Sequence, residues 1–251
     1  MRARISVVLI TKNAETSLEK CLDSVGFADE IVLVDSGSTD RTLAIASAYK
    51  AKVIHQDWLG FGPQKQLAVR AASHDWVLCL DADEWLSENL VNEIKELLDN
   101  PQAMAFQFPR CNRFMGRFLK HGEGYPDWSL RLFHRAHARW SDDLVHEYVI
   151  ADGPVHKLRH ELMHESGEDI ALYLSKQNRY TSLQAEQLLQ RGKRVGIGKL
   201  ILSPLLRFVK FYFFRRGFLD GVPGLVHISI GCFNSYIKYA KLIELRRLKN
   251  K

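Results

Sequence analysis

Three carboxylates, Asp81, Asp83 and Glu84, close an apolar run in the stretch WVLCLDADEW, residues 76–85. Val77 to Leu80 has the character of a buried strand, and carboxylates beside a buried strand are costly unless a cation meets them. In extended chain, residues i and i+2 point the same way, about 6.5–7 Å apart, so Asp81 and Asp83 would grip one ligand from one side. Hard carboxylate oxygens suit Mg2+ or Mn2+, ions commonly shared between one or two carboxylates and substrate phosphates. The spacing therefore points to a divalent cation carrying a diphosphate. Neither G-x-x-x-x-G-K-S/T nor G-x-G-x-x-G occurs. Phosphate charge would then be neutralised by metal and by Lys65 rather than by a glycine loop.

Two more strand ends carry polar groups. Thr11 and Asn13 follow ISVVLI, and Asp35 and Asp40 lie in VLVDSGSTD. In an open parallel sheet, ligands sit beyond the carboxyl ends of the strands, where these residues converge. Each piece has a plain alternative. Asp35-Ser36-Gly37 suits an ordinary turn, Asp40 suits a helix start, and D-x-D arises easily by chance. Their joint placement, and the framing of the acidic cluster by Trp76 and Trp85, argue for a site.

The elements that must position these groups alternate along the first hundred residues. Strands are expected at 5–10, 30–35, 51–56 and 76–81, and helices at 16–25, 40–49, 63–73 and 87–100, with Pro63 in a first turn and Ser87 as a cap. This predicts right-handed βαβ units and an α/β fold with a mostly parallel sheet flanked by helices. After Pro101 the pattern shifts to short aromatic-rich pieces, read as antiparallel strands and loops. From about Glu168 the chain reads as helical, over 169–193, 199–216 and 221–247. The expected division is thus 1–167 as a catalytic domain, with halves 1–100 and 101–167, and 168–251 as a helical tail.

With 251 residues, 46% hydrophobic and 25% charged, the chain can bury a substantial core. Its four cysteines are scattered without a CxxC, as reduced thiols in a cytosolic protein would be. The apolar stretch 5–10 is too short for a signal-peptide core, and no run of 18 apolar residues predicts a membrane span. The net charge of +6 hides an asymmetry: residues 1–190 carry −6 and residues 191–251 carry +12. A basic tail on an acidic body suggests a polyanionic partner.

The set VVLITKN, VLVDSGSTD and LCLDADEW resembles the donor half of family 2 glycosyltransferases, with the Rossmann-like GT-A fold. GFGPQKQLA, GYPDWSLRLFHR, VHEYV and FLDGVPGL are similar to a narrower group, the lipopolysaccharide core glucosyltransferases. The resemblance implies a GT-A sheet with acceptor-side antiparallel strands. It also implies metal-dependent, inverting transfer of a sugar from a nucleotide-sugar, with UDP-glucose as donor and an inner-core heptose as acceptor. By motif, Thr11 and Asn13 would line the nucleotide pocket and Asp35 would accept a hydrogen bond from uracil. Asp81 would contact ribose or the metal shell, Asp83 would ligate the metal, and Lys65 would lie near the diphosphate. Lys65 also reads as a solvated lysine on a helix face. Inversion needs a base for the acceptor hydroxyl. Glu147, expected within a strand-like run, and Asp127 are the two candidates. Pairing with Arg131 or Arg135 is the structural alternative for Glu147, and a post-proline turn is that for Asp127.

Other readings compete. HELMH, residues 160–164, is a literal H-E-x-x-H, which on a helix would bind zinc through His160 and His164 with Glu161 as base. The preceding segment lacks a helical stripe, and Ile170 stands where a third histidine would be needed. A polyprenyl-phosphate glycosyltransferase would share the donor half. Phe208, Phe211, Tyr212, Phe213 and Phe214 could stack nucleic-acid bases or pack on the catalytic domain. Crowded beside Arg207, Lys210, Arg215 and Arg216, they suit a helix at an anionic lipid surface better. The expected setting is the cytoplasm, peripheral on the inner membrane, with no nucleic-acid partner.

Overall fold

The structure, a computed structural model, describes residues 2–144, 147–167 and 169–249. Val145 and His146 of the VHEYV motif, and position 168 where the tail was expected to begin, lie outside the described residues. The chain divides into two compact units: residues 1–110 with 127–165, and residues 111–126 with 166–251. Segment 111–126 thus goes with the C-terminal helices, a grouping that local periodicity does not announce.

The first unit opens with β1 (Ile5–Thr11), α1 (Leu18–Asp23), β2 (Glu30–Asp35), α2 (Thr42–Ala48), β3 (Lys52–His55), α3 (Phe61–Ala71) and β4 (Trp76–Asp81). Then come β5 (Glu84–Leu86), α4 (Glu88–Asp99) and the long β6 (Ala105–Phe114), which leads into β7 (Arg117–Phe118). Four short pieces follow β8 (Asp127–His134): β9 (Ala138–Trp140), β10 (Val149–Ala151), β11 (Val155–Lys157) and β12 (Leu162–His164). The sheet order is β3-β2-β1-β4-β8-β6-β12-β5. The first four strands are parallel, and β8 enters antiparallel to β4 and to β6.

Alternation along the strands sends side chains to two cores. Val7 and Leu9 of β1 join Leu78 of β4 and pack with Leu18 and Leu22 of α1 and Leu90, Ile94 and Leu98 of α4. Val8 and Val77, pointing the other way, pack with Ala68 and Val69 of α3, Phe133 and Trp140. Both faces are covered, as a parallel sheet requires. Ser87 caps α4, its hydroxyl accepting from Leu90 N. Register brings Thr11 opposite Asp35 and Ile10 opposite Asp81, so three loops open at one sheet edge.

The competing H-E-x-x-H reading finds no helix, in keeping with the missing helical stripe: β12 pairs antiparallel with β5, Leu162 opposite Leu86 and His164 opposite Glu84. A strand cannot present His160 and His164 one helical turn apart, so the zincin geometry is absent. The helix expected over 199–216 is α6 (Ile197–Phe208), continued by a π-helical turn at Val209–Phe214.

The second unit holds α5 (Ile170–Gln190), α6 and α7 (Gly221–Lys249), with α7 packed on the other two. Ser203 and Ser235 hydroxyls meet at 2.7 Å, and Lys241 Nζ donates to Thr181 and Ser182. Buried Asp220 accepts from the backbone N–H of Lys120 and His121. Among the described residues, no helix is long and apolar enough to cross a membrane.

Candidate active site

The acidic cluster is met by cations from this chain. Glu84 is fully buried, 0% exposed, and its Oε1 accepts from Arg131 Nη2 at 2.9 Å and Arg110 Nη1 at 3.2 Å. Its Oε2 accepts from Asp81 N at 3.1 Å, which ties the turn after β4. The Arg131 guanidinium also reaches Asp81 Oδ2 at 2.8 Å. Lys65 Nζ stands 2.9 Å from Asp81 Oδ1 and 2.8 Å from Glu147 Oε1. At the other end, Arg110 grips Asp127 through Nε at 2.9 Å and Nη2 at 2.7 Å. The result is one alternating row: Glu147, Lys65, Asp81, Arg131, Glu84, Arg110, Asp127. Trp140 lies alongside, its ring centroid 4.7 Å from Lys65 Nζ and 5.6 Å from Arg131 Cζ.

Each member has a structural reason. Arg131 comes from β8, between Leu130 and Leu132, and Arg110 from β6; Arg110 and Asp127 are register partners. Lys65 sits one turn into α3, whose start is fastened by Phe61 N to Leu144 O at 3.1 Å and Gly62 N to Asp143 O at 3.1 Å. A Cβ on Gly62 would fall 2.2 Å from Ser141 O, so only glycine allows this approach. Burial alone would raise the Asp81 pKa. The charges of Arg131, Lys65 and Arg110, with the Lys65 hydrogen bond, override it and hold the carboxyl well below the usual carboxylate range. Burial likewise opposes charge on Arg131, and Glu84 and Asp81 more than offset it, raising its pKa. A cavity of about 10 Å³, lined by Lys65, Asp81, Arg131 and Trp140 among others, has room for about one water molecule.

The expected site residues fall into two groups. Lys65, Asp81, Glu147 and Asp127 share the row. Lys65 is buried, not a solvated lysine. Glu147 lies in irregular chain ahead of β10, not within a strand, and pairs with Lys65 instead of Arg131 or Arg135. Asp127 begins β8, where Arg110 holds it. Thr11, Asn13 and Asp35 form a second, neighbouring loop cluster. Asp35 accepts from Thr11 Oγ1 at the end of β1 and from Ser38 Oγ, Gly37 N and Ser38 N of its own loop. These bonds pull its pKa down against the opposing effect of burial. Asn13, at φ 52°, accepts from Thr39 N at 2.8 Å.

The extended spacing expected of Asp81 and Asp83 is not what the structure shows. The chain turns at Ala82–Asp83 instead of staying extended. Asp83 faces His164, with Nε2 3.3 Å from its Oδ2, while Asp81 faces Lys65 and Arg131. Glu84 drives the turn, because its own carboxylate must reach two arginines and the Asp81 N–H. Sequence reasoning missed Arg131, Arg110, Trp140 and His164 as parts of the site. A signal for Arg131 was present: an arginine in the apolar run S-L-R-L-F needs a buried partner.

The chain matches the family described as "Glycosyl transferase family 2" over residues 6–151. It is 32% identical over 255 residues to an uncharacterized glycosyltransferase of Rickettsia typhi, covering 96% of this chain and 87% of that one. It is 30% identical over 253 residues to the lipopolysaccharide core biosynthesis glycosyltransferase LpsC of Rhizobium meliloti, covering 98% and 94%. Among solved structures, S. aureus TarS 1-349 in complex with UDP superposes with a TM-score of 0.51 at 14% identity, over 97% of this chain and 91% of that one. That likeness carries the fold alone, and the fold is GT-A. With the family model matching residues 6–151 and relatives matched over nearly the whole length, this chain belongs to glycosyl transferase family 2 and is a glycosyltransferase.

Proposed function

We propose that this enzyme moves glucose from UDP-glucose, with inversion, onto a heptose of the lipopolysaccharide inner core. One observation carries the catalytic part: Lys65 bridges Glu147 and Asp81 at 2.8 and 2.9 Å, so a base and a donor-side carboxylate share one cation. Glu147 is the base that takes the proton of the acceptor hydroxyl. Asp127 is the second candidate: two Arg110 nitrogens bond one of its oxygens, whereas Glu147 meets a single lysine. Thr11, Asn13 and Asp35 shape the nucleotide pocket, with Asp35 acting through its loop. Asp81 orients Lys65 toward the donor.

Asp83 and His164 present an oxygen and a nitrogen 3.3 Å apart, with Asp83 33% exposed on its side chain. Asp83 and His164 would hold a divalent cation, and the imidazole nitrogen favours Mn2+ over Mg2+. No group of three or more such donors gathers among the described residues, and the two oxygens of Asp81 are already taken by cations. When bound, the metal supplies neutralisation of the departing diphosphate. The donor class is supported by TarS, solved with UDP and with UDP-GlcNAc, and the acceptor class by the name of LpsC. The basic tail would hold the enzyme at the anionic cytoplasmic face of the inner membrane, where such an acceptor is built.

Calorimetry tests the reading, with UDP-glucose compared against UDP-galactose, UDP-GlcNAc and GDP-mannose, each with and without Mn2+. UDP-glucose should bind tightest and should need the metal. Glu147→Gln should abolish transfer and keep UDP affinity. Near-normal turnover in that variant would move the base elsewhere, and tighter binding of another sugar nucleotide would replace the donor.

A further inference from the structure

Helix α6 buries none of its residues. Ile197, Ile201, Leu205, Val209 and Phe213 recur every fourth position and are 73%, 52%, 57%, 42% and 57% exposed. In an α-helix, steps of four drift steadily around the axis. The wider π-helical turn at Val209–Phe214 counters that drift, so Phe213 stays with the stripe. Phe214, 80% exposed, extends it. Contiguous apolar surface of this kind marks a docking face.

The charge around it says what docks. Lys210 and Arg216 are exposed near the stripe's C-terminal end, whereas Lys199 Nζ lies 5.4 Å over the Tyr239 ring of α7. From Arg191 onward the sequence has two acids, Asp220 and Glu244, and Asp220 is buried against the Lys120–His121 backbone. Glu244 is then the tail's one acid outside the interior. At 12 residues, α6 is about 18 Å long, well short of a bilayer's hydrocarbon core of roughly 30 Å. An apolar stripe flanked by cations and too short to span suits an in-plane position among headgroups.

We propose that α6 and its π-helical turn insert as an in-plane wedge into an anionic phospholipid surface, apolar stripe downward, with Lys210 and Arg216 on lipid phosphates. This rests on the reading of a membrane-surface acceptor and adds to it. Attraction by basic residues alone is erased by salt, whereas a wedge leaves a salt-resistant component.

The full chain is sedimented with phosphatidylcholine vesicles, with and without phosphatidylglycerol, at low and high salt. Wild type should bind the anionic vesicles at low salt and keep a measurable fraction at high salt. The double variant Leu205→Ser, Phe213→Ser should weaken binding at least about tenfold and lose the salt-resistant fraction. Phe213→Trp should bind like wild type. Because both positions are exposed, the thermal midpoint of the double variant should match wild type. No binding of wild type at low salt overturns the membrane reading altogether. Binding that salt strips completely, unaltered by the double variant, overturns the wedge and leaves electrostatic attraction. A dimer in vesicle-free solution that the double variant abolishes, without effect on vesicle binding, would give the stripe to a second copy of the chain.

Discussion

Replacing Glu84 by Gln changes one atom at the most enclosed point of the ion row. The carboxylate is 0% exposed and takes hydrogen bonds from Arg131, Arg110 and the Asp81 N–H. Glutamine keeps the volume but offers one acceptor oxygen, and its NH2 group would face a guanidinium, donor against donor. Breaking a buried ion pair by removing one partner costs about 3–5 kcal/mol. Arg131 retains Asp81 and Arg110 retains Asp127, which places the loss near the lower end, about 3 kcal/mol. In a domain of this size each kcal/mol moves the thermal midpoint by roughly 2–4 °C, so a drop of about 6–12 °C is expected. Circular dichroism melts at neutral pH provide the measurement. Asp142→Asn serves as the control, because its pair with Arg139 is largely exposed and should hardly matter. A Glu84→Gln midpoint within about 2 °C of wild type would refute the claim that the row is a tightly coupled buried network.

Lys65→Met leaves Asp81 and Glu147 without their shared cation; kcat/KM should fall on the order of 100-fold through misplacement of the proposed base, with the fold intact by circular dichroism. Gly62→Ala should give a similar kinetic loss without touching a charge, because its Cβ would meet Ser141 O at 2.2 Å and push α3 off the 141–144 loop. Normal activity in that variant would show the fastening to be dispensable. Asp81 has a depressed native pKa, so its stabilisation is complete above its unfolded value, about 3.9, and is lost as pH falls below it. Acid melts of Asp81→Asn should therefore lose less stability between about pH 5 and pH 2 than wild type; parallel acid limbs would contradict the assignment.

The parallel half of the fold was legible because its signals are local. Strand-type runs ending in polar groups, helical spacing in α1 and α4, and the Ser87 cap all act within a few residues. The site was legible only as a place. Thr11, Asp35 and Asp81 share an edge because they end neighbouring strands. Which charges meet there depends on pairings far apart in the chain, such as Lys65 with Glu147 across 82 positions. The turn at Ala82–Asp83 escaped for a related reason: Glu84 ties it to the Asp81 N–H locally, but the arginines that hold that carboxylate come from β6 and β8. H-E-x-x-H shows the converse, a local pattern overruled by strand pairing.

The row has odd parity. Four carboxylates, Glu147, Asp81, Glu84 and Asp127, face three cations, Lys65, Arg131 and Arg110, which leaves a formal charge of −1 before Asp83 is counted. That surplus would repel an anion arriving bare. Under the proposed mechanism, a donor diphosphate would therefore be favoured when it brings its counter-charge along, a filter applied before any sugar is read.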